Sequence, residues 1–245
     1  MNFRISLISI VILVGFLCSG CESQKQENDP IAFITKTVNG VAEVKRMGAS
    51  EYVKVEGKTP LHEGDTIRTG EKAIAELQYS SGATGDILPN TEFQIEERKK
   101  SSTNISIIYN RLINGIAAFY VPKGNENAKK FQVATNRAVA SIKGTAFKIS
   151  HLNDKTTLTV KEGLVAFGMV ESKSNDSTEG NSKETLDKDS AKTPPEISSG
   201  SLKQLEVGAF KQVSISKDGV SEVTEVNVML DPDFAGFQEP EKFSK

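Results

Sequence analysis

Apolar residues recur at every second position in this chain, in short runs closed by glycine. That period constrains the fold most, because strand side chains alternate between two faces, whereas helical ones return about every 3.6 residues. In "AIAELQY", Ala73, Ala75, Leu77 and Tyr79 fall on one side, with Glu76 and Gln78 opposite. "TEFQIEE" turns Phe93 and Ile95 inward against Glu92, Gln94 and Glu96. "TLTVK" alternates Leu158 and Val160 with Thr157, Thr159 and Lys161. The runs are separated by Gly64-Asp65, Ser81-Gly82, Asn114-Gly115, Glu162-Gly163 and Asp218-Gly219. Glycine supplies the positive φ that tight turns demand. No long amphipathic helix interrupts this cadence, so the predicted class is all-β.

Two regions depart from it. Residues 168–201 are mostly polar and carry Pro194-Pro195, which predicts a disordered insertion. The strand pattern resumes afterwards with "QLEVGAFKQVSI". Closing a longer loop costs only about 0.6 kcal/mol per doubling of its length, so one domain over 31–230 accommodates the insertion. The tail, 231–245, sets Phe234, Phe237 and Phe243 among prolines, and is expected either to drape on the sheet or to stay loose.

The N-terminus carries a different signal. Arg4 precedes the apolar run "ISLISIVILVGFL", which is shorter than the roughly 20 residues a bilayer-spanning helix needs. It fits the apolar core of a secretory signal peptide over residues 1–20. The run ends in "LCSGC", where Ser19 and Gly20 directly before Cys21 resemble a bacterial lipobox. That resemblance implies acylation of Cys21, which becomes the first residue of the mature chain. Cys18 leaves with the signal, so neither cysteine supplies a disulfide or a thiol nucleophile. One acyl chain holds only weakly; a multiply acylated cysteine, palmitate among its chains, holds firmly. Glu22 in place of the inner-membrane retention aspartate of that class favours the outer membrane. Residues 21–30 are polar and read as a flexible tether reaching at most about 30 Å.

Chemistry-bearing constellations are sparse. His151 ends a strand beside the turn dipeptide Asn153-Asp154, and the other histidine, His62, lies far upstream. Two separated histidines without cysteine partners do not form a recognisable metal site, so neither metal nor cofactor is expected. There is no G-x-S-x-G elbow, and "IKGTAF" does not satisfy the phosphate-loop pattern. Gly144 there is expected to permit a tight bend. Asp65, Asp86, Glu43, Glu76 and Glu162 are the carboxylates from which a glycosidase pair would be drawn, but Asp65 and Glu162 adjoin turn glycines and Glu76 faces outward. With 30 Lys+Arg against 32 Asp+Glu, no basic field points to nucleic acid.

The order of motifs carries a resemblance. "LHEGDTIRTGEKAIAELQYSSGATGDILPNTEFQI", "LINGIAAFYVP", "FQVATNRAVASIKGTAFKIS", "TTLTVKEGLVAF" and "LEVGAFKQVSI" follow one another. The sequence resembles the FecR-type domain, with Gly64, Asp65, Gly82, Gly115, Gly144, Thr145 and Gly163 at the family's turn positions. The resemblance implies a non-catalytic envelope domain of stacked short strands, arranged as a β-solenoid or a twisted sandwich. The family's best-known members relay a signal from an outer-membrane transporter to a cytoplasmic sigma factor through a cytoplasmic segment and a membrane span. Only 20 residues, read as a signal peptide, precede Cys21, so that direct relay is not expected. The expected role is a lipid-anchored binding, scaffolding or signal-sensing module, with an envelope protein or a glycan as partner. A surface adhesin is one alternative. A carbohydrate-active enzyme is another, disfavoured by an aromatic content of 7% without Trp.

Overall fold

The computed structural model describes residues 29–100, 106–123, 130–170 and 204–234. Cys21, the signal and most of the tether lie outside these, as do insertion residues 171–201 and the tail beyond Phe234.

Two antiparallel sheets are laid down by a chain that repeatedly changes sides. It places β1 (Ala32–Val38) in sheet I, then β2 (Ala42–Lys45) and β3 (Val53–Lys54) in sheet II. It returns for β4 (Thr59–Leu61) in sheet I and β5 (Thr66–Thr69) in sheet II. The hairpin β6 (Ile74–Tyr79) and β7 (Thr84–Ile87) belongs to sheet I, and β8 (Glu92–Lys100) to sheet II. Next comes β9 (Ser106–Val121), which pairs with β8 through its first half and with β7 through its second. The remaining hairpins alternate: β10 (Lys130–Ala134) and β11 (Ala138–Ile142) in sheet II, β12 (Thr145–Leu152) and β13 (Lys155–Glu162) in sheet I. Sheet II gains β14 (Leu164–Met169) and β15 (Gln204–Gly208); sheet I ends with β16 (Lys211–Ser216), β17 (Gly219–Val220) and β18 (Thr224–Glu225).

Sheet I therefore runs β4-β1-β6-β7-β9-β12-β13-β16, and sheet II runs β3-β2-β5-β8-β9-β10-β11-β14-β15. The pairing is antiparallel apart from β9 with β10. A solenoid stacks parallel rungs, so of the two arrangements left open by the sequence this is the twisted sandwich. The expected alternation holds: Ala73, Ala75, Leu77, Tyr79, Phe93, Ile95, Leu158 and Val160 are all buried. Residues from the inner faces of both sheets form one continuous core. At its centre Phe119 meets Phe131, Phe147 and Phe93 at 5.3, 5.5 and 5.6 Å between ring centroids, and Tyr79 edge-on at 6.5 Å. Gly85 opposite it makes room: a Cβ there would lie 2.5 Å from the Phe119 ring.

One expectation is corrected here. Asn114-Gly115 reads as a turn between strands, yet Gly115 lies inside β9. Its φ of +103° lets one strand leave sheet II and enter sheet I without breaking. A side chain at that point would collide with Thr91, whose hydroxyl accepts from Ile116 N–H at 3.0 Å and donates to Ile116 O at 3.1 Å. Thr145 likewise is no turn residue: it opens β12 just after the corner at Gly144.

Candidate interaction face

The family-motif positions build structure before they build a site. Asp65 is 2% exposed and ties two loops together. Its carboxylate accepts from Arg46 Nη1 at 2.6 Å, from His62 N–H at 3.0 Å and from Met47 N–H at 3.2 Å. Gly64, at φ +83°, donates its N–H to Ile95 O at 2.7 Å, and Ile95 returns one to Asp65 O at 2.9 Å. Gly82 closes the β6–β7 hairpin at φ +88°, donating to Tyr79 O. Gly144, Thr145 and Gly163 come together where two corners meet. Thr145 Oγ1 donates to Leu164 O at 3.0 Å, and a Cβ on Gly163 would sit 2.5 Å from Gly144 O.

His151 is buried in a hydroxyl chain. Its Nδ1 lies 3.0 Å from Thr156 Oγ1, which lies 2.8 Å from Thr135 Oγ1. Burial lowers its pKa. Asn153 and Asp154 both adopt positive φ, the backbone of a two-residue hairpin turn. Asp154 receives Arg137 in a two-pronged ion pair and Asn136 Nδ2 at 3.1 Å, and the Arg137 hydrogen bonds hold its carboxyl below the usual range. His62 is a separate matter, 3.8 Å from Asp65 Oδ2. The two histidines do not share a site. Among the described residues, no three His, Cys, Asp or Glu side chains are grouped closely enough to hold a metal ion.

The five carboxylates disperse with one exception. Glu43 pairs with Arg68, whose guanidinium stacks 4.0 Å from the Tyr52 ring, and Glu162 lies 3.7 Å from Lys123. Tyr52 donates to Glu92 at 2.7 Å; burial and that bond push its hydroxyl up to about 12. Glu76 and Asp86, however, face each other across β6 and β7 on the outer face of sheet I. Burial, then the Glu76 charge, pushes the Asp86 carboxyl up to about 6.

That shift predicts a pH dependence. The native state binds the Asp86 proton more tightly than the unfolded chain, so this stabilisation is complete below about pH 4 and lost as pH rises through about 6. Asp86→Asn is expected to stabilise the fold by about 1 kcal/mol at pH 7.5, allowing for partial exposure, with the gain vanishing near pH 4. Thermal melts of both proteins at the two pH values measure it; an equal offset at both contradicts it.

Across sheet I, one row of outward positions runs Lys36, Glu76, Asp86, Ala118, Lys148, Thr159, Gln212. Its right-hand part is covered. Two 3-10 turns, Val228–Leu230 and Pro232–Phe234, lie over it, the first against β13. Lys148 donates to Asp231 and, at 2.9 Å, to Asp233. The Phe234 ring sits between Lys148 and Lys161, their ammonium groups 5.6 and 5.7 Å from its centroid, and Lys161 also donates to Phe234 O. The Thr157–Thr159 strip, outward by its sequence pattern, is bonded sideways to β16: Thr159 donates to Gln212 at 3.0 Å and Thr157 meets Ser214 at 2.8 Å. Of the two states expected for the tail, its first residues take the draped one.

A polar cleft of about 590 Å³ opens between the β12–β13 and β16–β17 hairpin tips, around Asp154, Lys155, Ser216 and Asp218. Glu76 and Asp86 do not line it.

Residues 65–166 match the family model described as FecR protein. The matched segment begins at the Asp65 knot, contains β5 to β13 and the first three residues of β14, and holds the Phe119 centre and the Gly115 crossing. Every motif turn position except Gly64 falls within it. Two crystal structures of a "putative anti-sigma factor" from Parabacteroides distasonis ATCC 8503 are similar at 15% identity and a TM-score of 0.45. Each alignment covers 66% of this chain and 60% of that one, so the chain spans less than two thirds of their length. No curated protein matches the chain.

Draping is one of the tail's two expected states, but the residues that hold it there are not legible in the sequence. Lys148 and its two acids are 83 and 85 positions apart, and only Pro232 within "DPDF" hinted at a break from strand pattern. The Glu76–Asp86 pairing needed the hairpin register.

Proposed function

We propose that this chain is a lipid-anchored module of the bacterial envelope that binds a protein partner and performs no catalysis. The observation that carries this reading is the FecR match across the middle of both sheets. In support, the polar groups of the motif positions are consumed in holding corners together, as Asp65 and Thr145 are. Cys21 would carry the acyl chains, and the short tether would keep the sandwich near the membrane surface. Confinement there raises effective concentration, so modest contacts suffice for a partner in the same membrane. Outer-membrane residence follows from Glu22 after the acylated cysteine. The five carboxylates from which a glycosidase pair would be drawn do not line the cleft, and of the two carboxylates that do, Asp154 is held by Arg137.

Cys21→Ala is expected to shift the protein from the membrane fraction to the soluble fraction of lysed cells. Crosslinking in intact cells with mass spectrometry of the captured species should recover an envelope protein. A membrane-bound Cys21→Ala protein, or crosslinks only to cytoplasmic components, contradicts the reading.

A further inference from the structure

We propose that the outer face of sheet I is a docking site for a turn-forming peptide of a partner protein, one bearing an aromatic residue just after closely spaced carboxylates. Residues 226–234 occupy that site as a built-in competitor. The inference deepens the binding-module reading and rests on it.

Three observations converge. First, the site is built to be covered. Ala118, between Asp86 and Lys148 in the outward row, is 0% exposed, and Ala146 and Thr159 are buried too, although none belongs to the central core. On this face the C-terminal segment packs against β13 and Lys148, with Val228 and Phe234 each 2% exposed. Second, the cover is held by side chains and not by a strand ladder. From Val228 to Phe234 its backbone N–H bonds run within the segment: Val228 to Val226 O, Leu230 to Asn227 O, Asp231 to Val228 O, Phe234 to Asp231 O. Attachment to the sheet falls to the packing of Val228 beside β13, the Lys148 ion pairs, the Phe234 ring between two lysines, and one bond at each end, Val226 N–H to Phe210 O and Lys161 Nζ to Phe234 O. Opening this segment therefore breaks no strand pairing of the sheet. Third, the outward side of the segment carries Met229 and Leu230, 72% and 79% exposed, two large apolar side chains that offer an incoming partner a first contact.

The segment itself displays what the site accepts. Two lysines present their charge to carboxylates and to the face of a ring, and the small Ala118 and Ala146 leave space above the sheet. A basic or purely aliphatic peptide would leave Lys148 unpaired in a site where its side chain is only 17% exposed.

The test uses the full chain and a fluorescein-labelled peptide with the sequence of residues 226–234. Hydrogen exchange first establishes that Phe234→Ala frees the segment; if it stays protected, the variant also carrying Asp231→Asn and Asp233→Asn is used. The peptide is expected to bind the freed protein at least roughly tenfold more tightly than wild type, because a competitor that fills the site lowers apparent affinity by the open fraction. Adding Lys148→Ala should abolish that gain, and a peptide with both aspartates replaced by asparagine should bind neither protein. No binding to the freed protein overturns the docking site, and equal binding to freed and wild-type protein overturns the competitor. These failures are distinct from failure of the wider reading: peptide binding without any crosslinked partner in cells would sink the module and leave the docking site.

Discussion

Phe119→Ala should cost about 3–5 kcal/mol of stability and lower the melting temperature by on the order of 10 °C. Phe119 sits on β9, the strand both sheets share, and its ring touches four other aromatic rings drawn from both. The cavity left by truncation would be walled by residues fixed in their own ladders. Phe131 and Phe93 belong to sheet II, Phe147 and Tyr79 to sheet I. Tyr79 is pinned further by its bond to Asn110 at 3.0 Å, and Asn110 donates onward to Gln132 O at 3.2 Å. Little collapse is therefore available, which places the cost toward the upper end of such substitutions. Phe119→Leu should recover most of the loss, since it retains volume. Urea unfolding followed by circular dichroism gives the numbers, and a loss below about 1 kcal/mol would mean that the two sheets do not share this centre.

Gly115→Val should be as damaging by a different route. The backbone there is in the left-handed half of the map at φ +103°, and a β-branched residue resists that conformation by about 1–2 kcal/mol. Its Cβ would also overlap Thr91, adding about 1–3 kcal/mol and prying apart the Thr91–Ile116 hydrogen bonds. The expected total is roughly 2–5 kcal/mol, with loss of soluble protein if the sandwich lacks that reserve. Gly208→Ala is the matched control, because nothing lies within 4 Å of a Cβ there and its φ is ordinary. It should change stability by less than about 0.5 kcal/mol. Equal effects at the two positions would mean that the crossing at Gly115 is not under steric control.

The inward faces were legible in the sequence because they depend on nothing beyond period two. Leu77 and Phe93 point inward for that local reason alone. The side-changing path was not legible. Whether a glycine ends a strand or bends it depends on what lies opposite, and Gly115 lies against Thr91, 24 positions earlier by subtraction of the residue numbers. Asp65 read as a turn former, yet its carboxylate accepts from Arg46 and Met47 as well as from its own turn, and those partners are set by the fold. The tail could be expected to drape on the sheet, but its partners there were invisible for the same reason. A lysine on β12 finds two aspartates near the far end of the chain, and no spacing rule joins them.

We propose a non-catalytic two-sheet domain held at a membrane by its acylated Cys21. Intact mass of the protein purified from its native membranes tests this most directly. The predicted result is a chain beginning at Cys21 and heavier than its polypeptide by the fatty acyl groups, with Cys21→Ala leaving the membrane fraction. A chain that retains residues 1–20, or one that begins at Cys21 with no added mass, would contradict it.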